Sequence, residues 1–249
     1  MIGAITIRDF ETQADYAACV ALQRDTWGHD FNDVVPASVQ QIAQKLGGVA
    51  AGAFDATGQL VGFVFGVTGV ENGIIVHWSD MLAVRTECQN SGVGRRLKDF
   101  QRSAVARVGA RVIYWTYDPL VARNAHLNFN VFGVRVTQYV RDMYGRDTGS
   151  VLHRGIGTDR LIVAWPVDDG QIAARLRETN AAREAGKHTA TIVVPADIAA
   201  VIRTDPARAL EWRIATRREF ETALARGDRI DGFRMDPSGE RGAYLVSRP

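Results

Sequence analysis

MLAVRTECQNSGVGRRL, residues Met81 to Leu97, runs from an apolar strand through a short polar loop into a helix. Gln89, Gly92 and Gly94 stand in the spacing Gln-x-x-Gly-x-Gly. Two glycines at the mouth of a helix let a ligand approach the backbone without interference from Cβ atoms, and the N–H groups of a first helical turn have no partner inside the helix. Such a mouth attracts an anion. Arg95 and Arg96 follow at once, where a cation opposes the helix dipole by about 0.3–1 kcal/mol, a penalty that a bound diphosphate would reverse. The loop lacks the Lys-Ser/Thr ending of a nucleoside-triphosphate site, and also the third glycine and later acid of a dinucleotide site.

Working outward, Val93, Leu97, Phe100, Ala104 and Val108 recur at helical spacing and predict one buried face, stopped by Gly109. Upstream, ITIRDF reads as a first strand and DYAACVALQRDTW as an amphipathic helix, with a second helix from Pro36 to Leu46. Strands follow at Val49 to Phe54, Leu60 to Val67 and Ile74 to Val84, joined by Asp-Ala-Thr-Gly and by a tight Asn72-Gly73 turn. Downstream, RVIYWTY is a β-branched and aromatic strand, Asp118 and Pro119 open a helix from Leu120 to Phe132, and VRVTQYV and RLIVAW supply two further strands. From Asp168 the composition turns rich in Ala, Arg and Glu; TIVVP, a helix from about Asp205 to Gly227 and a hairpin around Pro237-Ser238-Gly239 then form a strand–helix–hairpin unit.

The order strand, Gln-x-x-Gly-x-Gly, helix, strand, and an Asn-bearing helix ending in Gly133-Val134 resembles the GNAT superfamily of acyl-CoA-dependent N-acyltransferases. The resemblance spans Ile5 to Trp165, about two thirds of the chain. The motif WTYDPLVARNAHLN and the added C-terminal unit are similar to a bacterial branch containing amino-acid N-succinyltransferases. The fold class implied is α/β (α+β): a mixed, mostly antiparallel twisted sheet flanked by helices, with a small C-terminal extension. Residues 1–168 would form the catalytic domain, and residues 169–249 would pack on it or on a partner subunit, which leaves a homodimer open.

The resemblance implies that Leu82, Ala83 and Val84 bind the pantetheine arm of acetyl-CoA or another acyl-CoA, succinyl-CoA included. It gives the diphosphate to Gln89, Asn90, Ser91, Gly92, Val93, Gly94 and Arg95, and a further cofactor contact to Asn124. Many relatives carry a tyrosine where this chain has Phe129, and a phenyl ring cannot protonate a departing thiolate. Water, Tyr114, Tyr117 or Tyr139 would have to do so.

Amine acylation also needs a base. Strict alternation along the strand puts Trp78, Asp80, Leu82 and Val84 on one face and His77, Ser79, Met81 and Ala83 on the other. Asp80 is the first candidate base, because a carboxylate inside a strand is costly unless paired or functional. His77 is the second. An ion pair of Asp80 with Arg85 or Arg111 and a hydrogen-bonded core His77 are the competing structural readings. Arg154 and Arg160 flank a loop that can reach an acceptor pocket, and a guanidinium fork suits a carboxylate on an amino-acid-like amine. The acceptor expected is therefore a small-molecule amine. A non-catalytic acyl-CoA sensor and a protein N-acetyltransferase are the alternatives.

Composition narrows the partners. The chain has 249 residues, 46% of them hydrophobic, and a net charge of +2 with acids and bases interspersed, so no basic stripe points to nucleic acid. No membrane association is expected, because there is no apolar run of bilayer length and no basic leader before an apolar core, and a cytoplasmic protein is predicted. Cys19 and Cys88 are expected as free thiols outside any metal-like cluster, and no metal is called for. Arg213, Arg217 and Arg218 among Glu211, Glu219 and Glu221 read as a solvated, salt-bridged helix face.

Overall fold

The computed structural model describes residues 4–146, 148–150, 152, 155–185 and 188–248. The chain divides into two compact units: Met1–Trp115 with Gly149–Val151, and Thr116–Thr148 with Leu152–Pro249. This division differs from the expected one at residue 168. The strands after Tyr117 pack with the C-terminal helices and strands instead.

In the first unit, β1 (Thr6–Asp9), β2 (Val49–Phe54), β3 (Leu60–Glu71) and β4 (Ile74–Val84) pair in that order, each antiparallel to the next. The tight turn between β3 and β4 has Asn72 and Gly73 at positive φ, 50° and 77°, as an Asn-Gly hairpin requires. Helices α1 (Gln13–Trp27) and α2 (Ala37–Lys45) contribute Tyr16, Cys19, Leu22 and Ala43 to a core with Phe54, Phe63, Phe65, Met81 and Ala83. Thr12 and Asp15 close a reciprocal capping box at the start of α1. Helix α3 (Val93–Arg107) buries Val93, Leu97, Lys98, Gln101 and Val105. The expected apolar stripe is thus rotated: Val108 is exposed, and two polar side chains occupy the buried face.

Strand β5 (Val112–Tyr117) pairs with β4 in parallel over three positions, Val76 with Val112, His77 with Ile113 and Trp78 with Tyr114. The ladder ends there. Beyond it, Ser79 to Val84 of β4 have no β5 partner among the described residues.

In the second unit, β6 (Arg135–Val140) pairs antiparallel with β7 (Arg160–Pro166), and β8 (Ala190–Pro195), β10 (Arg241–Ser247) and β9 (Arg229–Met235) form a three-stranded antiparallel sheet in that order. Helix α4 (Ala122–His126) starts two residues later than expected and passes into a π-helical turn, Leu127–Phe132. Asp118 does not cap it, since its carboxylate accepts from Leu120 N–H and from Arg213. Helices α5 (Asp169–Ala185), α6 (Ile198–Thr204) and α7 (Pro206–Ala225) complete the unit, with α7 and β9 both packed on β6. Sequence reading missed α6, whose seven residues are too few to show a helical period.

The core of this unit is aromatic. Phe129, Phe220 and Phe233 each meet Tyr244 edge to face at 5.0–6.0 Å, while the Tyr244 hydroxyl donates to Pro119 O at 2.7 Å. Such edge contacts contribute about 0.5–1.5 kcal/mol each beyond area burial. Arg213 and Arg217, four residues apart on α7, turn inward. Arg213 binds Asp118 at 2.5 Å and Ile156 O at 3.2 Å; Arg217 binds Asp159 at 2.6 Å and Asp142 at 3.3 Å. The solvated face expected there is, for these two residues, an ionic seam, fully buried at Arg213 and partly buried at Arg217.

Candidate functional site

The glycine loop leaves β4 through a 3-10 turn, Thr86–Cys88, and enters α3 with Gly92 as the cap residue at φ +83°. Asn90 is also left-handed, at φ 59°. The Gln89 side chain donates to Val84 O at 3.1 Å and the Ser91 hydroxyl to Cys88 O at 2.5 Å, so both brace the turn. Among the described residues no side chain caps α3, which leaves the N–H groups of Val93, Gly94 and Arg95 without partners in the helix. A Cβ on Gly92 would meet no described residue within 4 Å, and Gly94 lies over Leu82 and Val84. An uncapped helix mouth with open space above a glycine suits an anionic ligand. Arg95 is 64% exposed beside it, whereas Arg96 donates to Ile5 O at 2.8 Å.

Leu82, Ala83 and Val84 lie on the length of β4 that β5 leaves unpaired, and an unpaired strand edge can accept an extended amide. The pairing of β3 with β4 also slips: Phe65 faces Met81 and Gly66 faces Ser79, so Asp80 is an extra residue, a β-bulge. The bulge overturns the expected strict alternation. Before it, His77 and Ser79 face α3, bonding Gln101 and Lys98; after it, Leu82 and Val84 lie against Gly94 of α3, while Met81 and Ala83 join the α1 core.

Asp80 sits on the bulge, exposed, and forms no ion pair with Arg85 or Arg111. Its pKa is raised above the usual carboxylate value, first because neighbouring groups displace part of its hydration even though it reaches solvent, and then by the charge of Asp33. His77 is fully buried with both ring nitrogens engaged, Nδ1 to Thr68 Oγ1 at 2.9 Å and Nε2 to Gln101 Nε2 at 3.0 Å. Thr68 spends its hydroxyl hydrogen on Gly47 O, so it accepts from Nδ1–H, and Nε2 accepts from the Gln101 amide; this network assigns the tautomer. Gly66 makes room for the ring, since a Cβ there would lie 2.4 Å from Nε2. Burial, then the charge of Lys98, pushes the His77 pKa down to about 3. The ring is a neutral structural link, and Asp80 is the base candidate that meets solvent.

Because the folded pKa of His77 lies below the ordinary 6.5, the unfolded chain binds the additional proton between those values. Stability should therefore fall as pH drops from about 6.5 toward 3, by up to about 1.4 kcal/mol per pH unit. Urea unfolding of wild type and His77→Gln at a series of pH values checks this: the acid slope should be shallower in the variant.

The other expected residues, Tyr114 apart, lie in the second unit or outside the described residues. Asn124 is half-buried in the first turn of α4. Arg160 is buried, donates to Asp159 O at 2.9 Å, stands 3.8 Å from Asp118 and lies over the Tyr144 ring. It is built into the ionic seam and is not a free fork for a carboxylate. Arg154 is outside the described residues. Phe129 is fully buried against Tyr244. Of the tyrosines weighed in its place, Tyr114 donates to Glu71 at 3.0 Å, Tyr117 is buried, and Tyr139 bonds Asp159, with the pKa of each raised, by burial first.

Sequence reading missed Lys98 and Gln101. Both sit on the buried face of α3, and the signal was a lysine directly after Leu97 at the point where an apolar stripe needs a second apolar residue.

Neither a protein-family model nor a curated protein matches the chain. Solved structures do. A GNAT-superfamily phosphinothricin acetyltransferase from Sinorhizobium meliloti, in complex with acetyl-CoA, aligns at TM-score 0.51 and 13% identity over 65% of this chain and 88% of its own. Aminoglycoside 6'-acetyltransferase type Ii aligns at 0.51 and 20%, over 66% and 97%. The acetyltransferase of the GNAT family from Streptococcus pneumoniae aligns at 0.51 and 15%, over 66% and 100%. The chain therefore shares the fold of these GNAT acetyltransferases. No described helix is long and apolar enough to cross a membrane.

Proposed function

We propose that this protein is an acyl-CoA-dependent N-acyltransferase that moves an acetyl or succinyl-type group to the primary amine of a small, amino-acid-like acceptor by direct attack in a ternary complex. The observation that carries this reading is the glycine mouth of α3, uncapped among the described residues, placed at the end of a strand whose outer edge no described strand pairs from Ser79 onward. Bound acyl-CoA would supply the activated acyl group. The N–H groups from Gln89 to Arg95 would hold its diphosphate, the edge at Leu82, Ala83 and Val84 its pantetheine amides, and Asn124 would add a contact. Asp80 would take the proton that the attacking amine gives up. Arg154 is a proposed contact to an acceptor carboxylate; the burial of Arg160 suits it to positioning instead. Among the described residues no histidine is bonded to Cys88, which favours direct attack over a covalent enzyme intermediate.

Calorimetry with acetyl-CoA, succinyl-CoA and free CoA tests the reading. Binding of at least one is expected, and absence of heat with all three at millimolar ligand would overturn it. A second reading, an acyl-CoA sensor without turnover, is favoured by the apolar setting of Phe129. It predicts CoA binding with no free thiol released against an amine panel.

A further inference from the structure

Lys98 projects from the second turn of α3 into the first unit's interior and is 6% exposed. Its Nζ donates to Ser79 Oγ at 2.7 Å and lies 4.0 Å from the centroid of the Trp115 ring. Ser79 and Trp115 hold matching positions: each is the first residue of its strand after the last β4–β5 pair, Trp78 with Tyr114. Lys98 thus spans the place where the two strands part, one residue from the Asp80 bulge.

The groups facing Lys98 are His77 and Ser79 from β4, Trp115 from β5 and Gln101 from its own helix, whose Oε1 accepts from Nζ at 3.5 Å. Hydrogen bonds continue from Gln101 through His77 and Thr68 to Gly47 O, and every donor in that chain has an acceptor. None of these partners is a carboxylate, and no described residue forms an ion pair with Lys98. A buried ammonium without a counter-ion is costly, and an apolar side chain of similar length would fit the same helix face at lower cost. Burial brings its pKa down to about 7, where the amine exchanges a proton near neutrality.

We propose that Lys98 is the source of the proton taken up by the departing CoA sulfur, delivered through the Ser79 hydroxyl. This rests on the transferase reading above. As the C–S bond breaks, the Ser79 O–H hydrogen passes to sulfur while an Nζ–H hydrogen passes to Oγ. Ser79 is regenerated, Lys98 is left as a neutral amine, and after CoA leaves a proton from solvent returns to it through the same Ser79 hydroxyl. The proton lost by the acylated amine leaves separately, to Asp80. This assigns the step for which Phe129 has no proton.

The test needs no knowledge of the acceptor. CoA is bound to wild type, Lys98→Met and Ser79→Ala, its affinity measured by calorimetry, and its thiolate followed against pH by ultraviolet absorbance. A free alkyl thiol titrates near 8.5, and wild type is expected to hold about tenfold more thiolate at neutral pH than either variant, at similar CoA affinity. If CoA binds all three proteins and the thiolate fraction stays within about twofold, the relay is wrong while the binding site stands. If CoA binds none of them, the transferase reading fails as well. Should Lys98→Met not fold by circular dichroism, Ser79→Ala decides alone. Acylation of Lys98 after incubation with acetyl-CoA, seen by mass spectrometry, would make the lysine an acceptor and overturn the proposal.

Discussion

Replacing Arg213 with alanine is expected to destabilise the second unit by about 3–5 kcal/mol, the usual consequence of removing one partner from a buried charge pair. Arg213 is fully buried, and its partner Asp118 is 5% exposed. Truncation removes the closest charge from the buried Asp118 carboxylate, which keeps the Leu120 N–H at 2.9 Å and Arg160 at 3.8 Å, a separation too long for a close hydrogen bond. The cost comes chiefly from the carboxylate left behind. Changing both ends, with Asp118→Asn and Arg213→Met, keeps an acceptor for Leu120 N–H and removes both charges, and should recover most of the loss. Denaturant unfolding of the two variants checks this. A loss below about 1 kcal/mol for Arg213→Ala would show that water replaces the pair at little cost.

Asp80→Asn should reduce turnover by about 10²–10⁴-fold with a productive amine while CoA affinity is held, because it removes a proton acceptor and leaves the glycine mouth untouched. The raised pKa of Asp80 fixes the shape of the pH profile. Wild-type rate should fall on acidification at a pH above the ordinary carboxylate range, and that acid limb should be missing from the variant. Thiol release against pH, with calorimetry for CoA, separates the outcomes. Equal loss of affinity and rate would make Asp80 a structural residue of the bulge.

Much of the fold was legible because its signals are local. The Asn72-Gly73 turn, Gly92 at a helix mouth and the β-branched run before Asp118 each impose a backbone conformation with little help from distant residues. The glycine loop could be read for the same reason. What escaped depends on long-range packing. The register slip at Asp80 arises from pairing with Phe65 and Gly66, so a two-residue period read along β4 alone could not reveal it. Lys98 and Gln101 carry polar heads, and their burial is decided by Ser79, His77 and Trp115 across the sheet. Arg213 and Arg217 were read with their sequence neighbours Glu211 and Glu221, but their partners Asp118 and Asp159 are 95 and 58 residues away.

The bulge at Asp80 also changes how β4 can vary over evolutionary time. The strand behaves as two short strands spliced out of phase, with the splice residue outside the packing of both halves. Chemistry at residue 80 can therefore be exchanged without disturbing the interior. Losing that single residue would set Ser79 opposite Gly66 and Met81 opposite Phe65 in regular alternation, so Met81 and Ala83 would stay in the α1 core and Leu82 and Val84 against α3. Point replacement at this position is cheap for the fold, and loss of the residue would remove the bulge while leaving both faces of the strand in place, so chemistry can be altered or discarded there without repacking the interior.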